Sequence, residues 1–404
     1  MKTIKYFFAV ILLISFSACS NFNEEELIAD IDQPMMEVET LLPVINIVVD
    51  QNDFDDMYEN PEEEIEIDAT LNLYRNKKLL IENEVVELEI KGNFSTRYDL
   101  RSIGVKFDDK FDNKERTLIN PERVLPRHSI NKIKSFRLRN SGSDFKNTML
   151  KDLSFTQLAI NAGLDIDLTY GEPSLVYING KFYGLLNIRT ESNTHGMAGL
   201  HSTTKKDLTM VKVTTHELIK KDGDFARVDA LLEAIDKKDI SYLKSEIDLS
   251  NFIDYMIFQS YLGNTDWPHN NARFYAVKDQ PFRFVLFDLD KVGWLKMKKN
   301  PLTIIEDKRQ PNVITNLFFA LYEDSSFERS FWNRYNEVID SGIISSSEFR
   351  PIVERNKARI ENDISLQIAK YNAPETMVEW EIELDKMMDL FEERAEVVAG
   401  DMEE

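Results

Sequence analysis

The sequence predicts an α+β protein with two lobes, an antiparallel-sheet N-terminal part and a mostly helical C-terminal part. Short runs rich in β-branched and aromatic residues dominate before residue 195, whereas apolar residues at helical spacing dominate after it. A chain of 404 residues is long enough to bury a large core. We therefore expect a strand-rich lobe over residues 42–194 and a helical lobe over residues 195–404.

The N-terminal part contains several strand candidates before its first helix. They are Val44–Val49, Leu71–Tyr74, Val85–Ile90 and Ile103–Phe107. The stretch Asp53–Asp68 is dense in carboxylates, and we expect a solvated loop there because its spacing fits no EF-hand. Apolar residues at helical spacing predict a helix over Asn147–Ala162, which Gly163 ends. Next, Asn179-Gly180 predicts a tight hairpin, since this pair accepts the positive φ angles of a type I′ turn.

The C-terminal part reads mainly as helices. Asn251–Leu262 is amphipathic and ends at Gly263-Asn264, so it delivers Asp266 into a loop. The remaining predicted helices are Ile314–Tyr322, Phe327–Ile339, Ser347–Tyr371 and Thr376–Met402.

The segment after the Asn251–Leu262 helix carries the most specific functional signal. Two short apolar runs, Arg273–Val277 and Phe282–Phe287, flank a polar turn and predict a β-hairpin. A hairpin brings its open ends together, so Asp266, Asn271 and Asp288 should converge on one small volume. An Asp, an Asn five residues later and an Asp after a hairpin form the catalytic layout of kinase folds.

Each of these side chains has a role in that layout. Asp266 is the candidate for receiving or orienting the substrate hydroxyl proton. Asn271 and Asp288 are candidate Mg²⁺ ligands, because Mg²⁺ prefers oxygen ligands, and Asp290 is the alternative or auxiliary ligand. The competing interpretation is structural, since Asn and Asp commonly stabilise turns and cap the chain. Trp267 is expected to pack as core beneath this loop.

Several blocks along the chain resemble the CotH family of spore-coat kinases. The blocks are Lys91–Thr96, Phe136–Asn140, Val176–Gly184, Asn264–Asn271, Asp288–Asp290 and Phe391–Arg394, in the family's order. This resemblance implies an atypical protein-kinase-like fold. It also implies Mg²⁺-dependent transfer of the ATP γ-phosphoryl group to Ser or Thr of a protein.

The block Lys91–Thr96 departs from the family pattern. By resemblance it should cover the nucleotide phosphates, with Asn93 in the covering turn and Lys106 or Arg101 as basic contacts. The family's basic step reads Leu100–Gly104 here, and only Arg101 and Lys106 keep basic positions. A strand edge followed by a turn explains the block equally well. These changes also support a second hypothesis, a catalytically degenerate surface lipoprotein that acts as a binding or adhesion protein.

A basic strip lies further along, in Arg127–Arg139, which contains five Lys or Arg residues and no acid. Arg suits bidentate phosphate contacts, so the strip favours an anion. The alternative is a strand with basic residues on its wet face and Ile133, Phe136 and Leu138 inward.

The N-terminus predicts export. Residues 1–18 combine Lys2 and Lys5 with a short apolar run, and Ser17-Ala18-Cys19 then resembles a bacterial lipoprotein signal. We expect cleavage before Cys19, lipidation of its thiol, and a tether over residues 19–41. The location would be the cell envelope, at the outer membrane or surface of a Gram-negative bacterium. The alternatives are an uncleaved anchor and a plain secretory signal that contains a chance cysteine.

The charge balance limits the classes of partner. The net charge of −22 argues against nucleic-acid binding, because proteins that bind nucleic acids depend on a basic surface. An acidic protein that binds ATP also needs a cation to offset repulsion, which favours a Mg²⁺ site. Because Cys19 is the only cysteine, an intramolecular disulfide is excluded.

Overall fold

The structure, a computed structural model, describes residues 38–107, 118–119, 124–125, 132–293, 301–306 and 312–401. The α+β class is confirmed, with most strands before residue 195 and most helices after it. Cys19, the leader and most of the expected tether lie outside the described residues, as does Arg127.

Fourteen strands are described. They are β1 Val44–Val49, β2 Ile67–Arg75, β3 Lys78–Lys91, β4 Ser102–Phe107, β5 Leu118–Ile119, β6 Lys132–Ile133, β7 Ser135–Arg139, β8 Asp167–Leu168, β9 Gly171–Ile178, β10 Lys181–Thr190, β11 Leu208–Val213, β12 Leu218–Asp222, β13 Ala272–Val277 and β14 Arg283–Leu286. The expected strands are confirmed, and so is the hairpin of β9 and β10 around Asn179-Gly180.

Twelve α-helices are described. They are α1 Gln51–Glu59, α2 Lys151–Asn161, α3 Thr194–Leu200, α4 Phe225–Lys237, α5 Ile240–Glu246, α6 Leu249–Tyr261, α7 Pro301–Ile305, α8 Val313–Tyr322, α9 Ser325–Asp340, α10 Ser346–Ile360, α11 Ile364–Tyr371 and α12 Met377–Asp401. The region Ser347–Tyr371 is two helices and not the single one expected. None of the helices described has the length and apolarity that a membrane crossing requires.

The first sheet closes into a barrel, where we expected the antiparallel sheet of a kinase-like lobe. Its order is β1-β2-β3-β4-β7-β10-β9, and the parallel pair of β1 with β9 closes the ring. Closure pairs both edge strands, and thereby removes the unpaired backbone groups that an open edge presents. The barrel interior is apolar, as Leu71, Val105 and Leu138 each have 0% exposure.

The acidic stretch after β1 is partly helical, which corrects the expected loop. Asp50 caps α1 by accepting hydrogen bonds from the backbone of Asn52 and Asp53. Phe54 and Met57, three residues apart, are buried on the inner face of this helix. The carboxylates of α1 therefore face solvent while two apolar residues anchor it, a pattern that a count of acidic residues conceals.

A second sheet of five strands, in the order β12-β11-β13-β14-β8, lies beside the barrel. Strands β11 and β12 were not expected, because they lie in a region that reads as helical. The predicted hairpin of β13 and β14 is confirmed. Strand β8 precedes the barrel hairpin in sequence yet pairs in parallel with β14. One apolar core runs from Leu42 to Phe391 through both sheets and the helices.

Candidate active site

A cavity of about 480 Å³ lies where the barrel meets the second sheet. Its walls come from the turn after β3, the ends of β7 and β10, strand β11, the loop before β13 and the residues after β14. Asp266, Asn271, Asp288 and Asp290 all line it. The structure thus brings the residues singled out around the hairpin into one cleft.

The loop between α6 and β13 holds Asp266 by several hydrogen bonds. The Asp266 amide donates to Asn264 Oδ1 at 3.1 Å, and Asn264 is itself buried against Gln259. Asn271 Nδ2 donates to Asp266 Oδ2 at 3.0 Å, and Lys291 Nζ lies 3.3 Å from the same oxygen. One carboxylate oxygen is therefore held by these donors, which orients the group in the cleft.

Backbone conformation at the two ends of the hairpin is unusual. Asn271 has φ 49° and Asp288 has φ 61°, in the left-handed region that non-glycine residues seldom adopt. Asn and Asp adopt this conformation more readily than other non-glycine residues, and the chain also uses it at turns outside the cleft, such as Asn179 and Asn372. At both positions the strained backbone turns a polar side chain into the cleft.

Asp288 and Asp290 converge on one guanidinium. Arg139 Nη2, at the end of β7, donates to Asp288 Oδ1 and lies 2.9 Å from Asp290 Oδ2. The Ser143 amide donates to the same Asp290 oxygen at 2.8 Å. Burial and the neighbouring Asp288 carboxylate raise the pKa of Asp290 well above its usual range. A Cβ on Gly142 would lie 1.9 Å from Asp290 Oδ2, so this turn leaves no room for a larger residue.

Asp152, near the start of α2, links the barrel to the hairpin. Its carboxylate lies 3.1 Å from Arg189 Nη2 and 3.6 Å from Arg139 Nε. It also accepts a hydrogen bond from the Leu289 amide at 3.0 Å. Burial raises the pKa of Asp152, but Arg189 and Arg139 outweigh this effect and hold it below its usual range. The ion pairs therefore connect helix α2, two barrel strands and the Asp288–Asp290 turn.

The cleft is electropositive although the chain is acidic. The described residues that line it include eight Lys or Arg and five Asp or Glu, whereas the whole chain carries −22. The cations are Lys91, Arg97, Arg137, Arg139, Arg189, Lys212, Arg273 and Lys291. Burial together with nearby Arg137 lowers the pKa of Arg273 to about 10, although Glu191 opposes this. An excess of positive charge in a cleft favours an anionic ligand.

Sequence reasoning missed Asp152, Arg189, Lys212 and Arg273 as site residues. No local motif marks them, since they lie on different elements that only the tertiary fold brings together. The available signal was strand periodicity. Each of the three cations occupies a half-buried or buried strand position where the opposite face is apolar, and a cation at such a position needs a partner.

The expected phosphate contacts divide into two groups. Asn93 lines the cleft, in the turn that follows β3. Arg101 and Lys106 do not line it, which corrects their expected placement. The Arg101 guanidinium lies 4.3 Å from the ring centroid of Tyr58, and Lys106 forms an ion pair with Glu87. Both side chains are thereby held on other parts of the barrel surface.

For the basic strip, the predicted inner face is confirmed, and part of the other face lines the cleft. Ile133, Phe136 and Leu138 are buried, as expected for the inner face of a strand. On the other face, Arg137 and Arg139 reach the cleft.

Trp267 is core, as expected. It has 0% exposure, and its indole Nε1 donates to the Tyr255 hydroxyl at 2.9 Å.

The carboxylates of the cleft do not by themselves form a metal cage. Among the residues that the structure describes, no group of three or more His, Cys, Asp or Glu side chains is placed to hold a metal ion. Any cation held at Asp288 would need amide, water or ligand oxygens to complete its coordination.

Comparison with known proteins identifies one family. A family model described as "CotH kinase protein" matches residues 88–398, which is most of the chain. The matched range includes every cleft residue named above. No curated protein matches the chain.

Proposed function

The chain belongs to the CotH kinase protein family, and from this premise we propose an activity. We propose that the protein transfers the γ-phosphoryl group of ATP to a Ser or Thr hydroxyl of another protein, with Mg²⁺ as cofactor. The observation that carries the proposal is the convergence of Asp266, Asn271 and Asp288 in one electropositive cleft. A cleft with net positive charge on an acidic protein suits a polyphosphate ligand.

The donor set fits Mg²⁺. Mg²⁺ is commonly bound by one or two carboxylates together with waters and substrate phosphates, so a cage of three carboxylates is unnecessary. Asp288 would hold the ion with Asn271, whose amide nitrogen already donates to Asp266 and whose oxygen remains for a cation. Asp290 would be the alternative or auxiliary ligand. When bound, Mg²⁺ would neutralise charge on the phosphate oxygens during transfer.

Asp266 acts on the acceptor. Its Oδ2 is held by Asn271 and Lys291, so the carboxylate is oriented before the substrate arrives. The acceptor hydroxyl oxygen attacks the γ-phosphorus, the bond from that phosphorus to the β-γ bridging oxygen breaks, and ADP leaves. Asp266 takes the proton of the hydroxyl. The hydrogen bonds around the loop keep this carboxylate in position without a substrate.

The turn after β3 would cover the phosphates. Asn93 lies in it, and Lys91 and Arg97 line the cleft on either side. These two cations take the role that the sequence suggested for Lys106 and Arg101. Arg189 and Arg139, both tied to Asp152, provide a rigid wall at the same end.

A second function is a non-catalytic surface protein that binds or adheres to a partner. The placement of Arg101 and Lys106 away from the cleft favours it, because two basic positions of the family pattern do not serve the ligand. The two functions differ in nucleotide binding. A thermal-shift measurement with Mg²⁺–ATP separates them, since a ligand at about a hundred times its dissociation constant adds roughly 2.7 kcal/mol. No shift across millimolar nucleotide would support the non-catalytic function.

The substitution Asp266→Ala tests the chemistry. We expect it to keep Mg²⁺–ATP binding and to lose about 10²–10⁴-fold in phosphoryl transfer, because the carboxylate acts on the acceptor hydroxyl and not on the phosphates. Transfer is measured as autophosphorylation or on envelope proteins with labelled ATP.

The matched control for Asp266→Ala is Asp279→Ala, which removes an exposed carboxylate from the far turn of the same hairpin. It should transfer at the wild-type rate. Equal rates for wild type and Asp266→Ala would remove the carboxylate from the mechanism.

A further inference from the structure

Three cations meet at one wall of the cleft without a matching set of acids. Lys212 on β11 and Arg273 on β13 are direct partners in the antiparallel register. Arg137, on barrel strand β7, lines the same cleft. Like charges placed directly opposite each other across two strands are destabilising. The pairing of Lys212 with Arg273 therefore costs stability unless another group compensates it.

The protein supplies little of that compensation. Within the described ranges, no ion pair includes Lys212 or Arg273, and the carboxylates that act on Arg273 from further away are Glu191 and Asp288. The Arg273 guanidinium donates to the Ser192 hydroxyl and lies 4.9 Å from the Phe287 ring centroid. Neither contact provides negative charge.

The nearest acids are already engaged. Glu191 accepts two hydrogen bonds from Arg137, at 3.3 and 3.1 Å. Asp288 is engaged by Arg139. Burial, Arg273, Lys221 and Arg137 lower the pKa of Lys212, and Asp288 only partly opposes them. The wall thus holds three cations against Glu191, which Arg137 engages, and Asp288, which Arg139 engages.

The site is built into the sheet. Further along the same face, Met210, Tyr275 and Val285 pack into a small apolar cluster with helix α3. The strands that carry Lys212 and Arg273 are thereby fixed, and the two side chains leave the sheet from adjacent positions on the same face. A preorganised pair of cations binds an anion without the cost of assembling the pair.

We propose that Arg137, Lys212 and Arg273 form a subsite for a phosphate-type oxyanion. The proposal rests on the proposed function for the source of the anion and deepens it. The oxyanion belongs either to the nucleotide or to a phosphorylated acceptor. Its negative charge offsets the repulsion between β11 and β13, and its oxygens accept charge-assisted hydrogen bonds from Lys212 and from the N–H groups of Arg273 and Arg137 that Ser192 and Glu191 leave over.

The test uses pyrophosphate as the probe, with the full chain after removal of residues 1–18 and at constant ionic strength. Thermal shift is measured against pyrophosphate concentration, with chloride as the reference anion. We expect saturable stabilisation of wild type and at least about tenfold weaker binding for Lys212→Met, as expected for loss of a charged hydrogen bond.

The matched control is Lys221→Met, which removes an equal charge from the neighbouring strand β12. Lys221 is exposed and does not line the cleft. We expect this variant to bind pyrophosphate like wild type. An equal loss in both variants, or no saturable effect on wild type beyond chloride, would overturn the subsite.

The stability without ligand gives a second readout that a merely structural lysine would not produce. Lys212→Met should leave the melting temperature of the ligand-free protein unchanged or raised, because the repulsion with Arg273 is gone. A lowered melting temperature together with unchanged pyrophosphate binding would overturn the proposal. If Lys212→Met fails to fold, Arg273→Gln is measured in the same way.

Two further arms identify the source of the anion. Equal weakening of ADP and pyrophosphate binding by Lys212→Met assigns the subsite to the nucleotide. Unchanged ADP binding, with a raised KM for a phosphoserine-containing acceptor peptide, assigns it to the acceptor. Pyrophosphate binding without any phosphoryl transfer would contradict the proposed kinase activity but support the subsite. Phosphoryl transfer without pyrophosphate binding would support the kinase activity but contradict the subsite.

Discussion

Side-chain placement in the cleft depends on a few backbone positions with little freedom. Asn271 and Asp288 adopt positive φ, and Gly142 approaches Asp290 too closely for a Cβ. These positions hold the polar groups in a geometry that an unstrained strand would not produce. The strain is offset by the hydrogen bonds of Asn271 to Asp266 and of Arg139 to Asp288.

The choice between Asp288 and Asp290 as the principal metal ligand is tested at this scale. We expect Asp288→Asn to abolish Mg²⁺-dependent nucleotide stabilisation while the protein stays folded, because Asp290 still binds Arg139 and the Ser143 amide. Thermal shift with and without Mg²⁺ measures this. Asp290→Asn is the paired variant. If that change is the damaging one and Asp288→Asn is silent, the principal ligand is Asp290.

Helix α6 leads into the loop that carries Asp266, and the C-terminal helix α12 contacts the end of α6. Arg394 is fully buried, and its Nε donates to the Tyr261 carbonyl at 2.8 Å. Its Nη2 lies 3.4 Å from the Ser260 carbonyl. The last carbonyls of a helix lack partners within the helix, and a cation there is favoured by the helix dipole. Arg394 thus fixes the C-terminal end of α6, where the loop that carries Asp266 begins.

Arg394 is a positioning residue, and Arg394→Met tests it. We expect unfolding free energy to fall by about 1–3 kcal/mol, since buried carbonyls lose a donor. We also expect kcat to fall while the KM for ATP changes little, because the Asp266 carboxylate shifts whereas Arg139 and Arg189 do not. Steady-state kinetics and denaturant unfolding measure the two effects.

The control is Arg350→Met, which removes a partly exposed arginine that contacts the same helix through Asp389 and Glu392. It should keep the wild-type kcat, and Arg394→Lys should recover part of the loss. A parallel fall in kcat for Arg350→Met, or a loss in KM for ATP alone, would contradict the positioning role.

At the scale of the whole molecule, charge is divided between an acidic chain and an electropositive cleft. A protein with net charge −22 repels polyphosphates in general, so a local excess of Lys and Arg such as that in the cleft would be needed to attract one. The repulsion also keeps the acidic surface from binding nucleic acid phosphates. The cleft is therefore the region of the described surface that suits a polyphosphate.

Attachment to the cell envelope concerns the whole chain and remains a proposal. We propose that lipid on Cys19 anchors the protein, since Ser17-Ala18-Cys19 closes a short apolar run. Cys19→Ser should move the protein from the membrane to the soluble fraction, as one measures by fractionation and by the acyl mass of the N-terminus. A variant that stays membrane-bound, or a wild type without acyl mass, would contradict lipidation.

The sequence was sufficient where the relevant residues are close together in the chain. Asp266, Asn271 and Asp288 lie on one loop and one hairpin, so local turn chemistry and strand length predicted their convergence. The hairpin at Asn179-Gly180 and helix α6 followed from the same local rules. Buried helical positions such as Phe54 and Met57 were missed because carboxylates outnumber them in the same segment.

The tertiary structure alone decided the barrel and the cationic wall. Closing β1 onto β9 joins strands more than a hundred residues apart, and the register of β11 against β13 places Lys212 opposite Arg273. Such pairings depend on which apolar faces can be buried together, and local propensity does not contain that information. Local chemistry therefore specified the loop that carries Asp266, whereas long-range packing specified the charges that surround it.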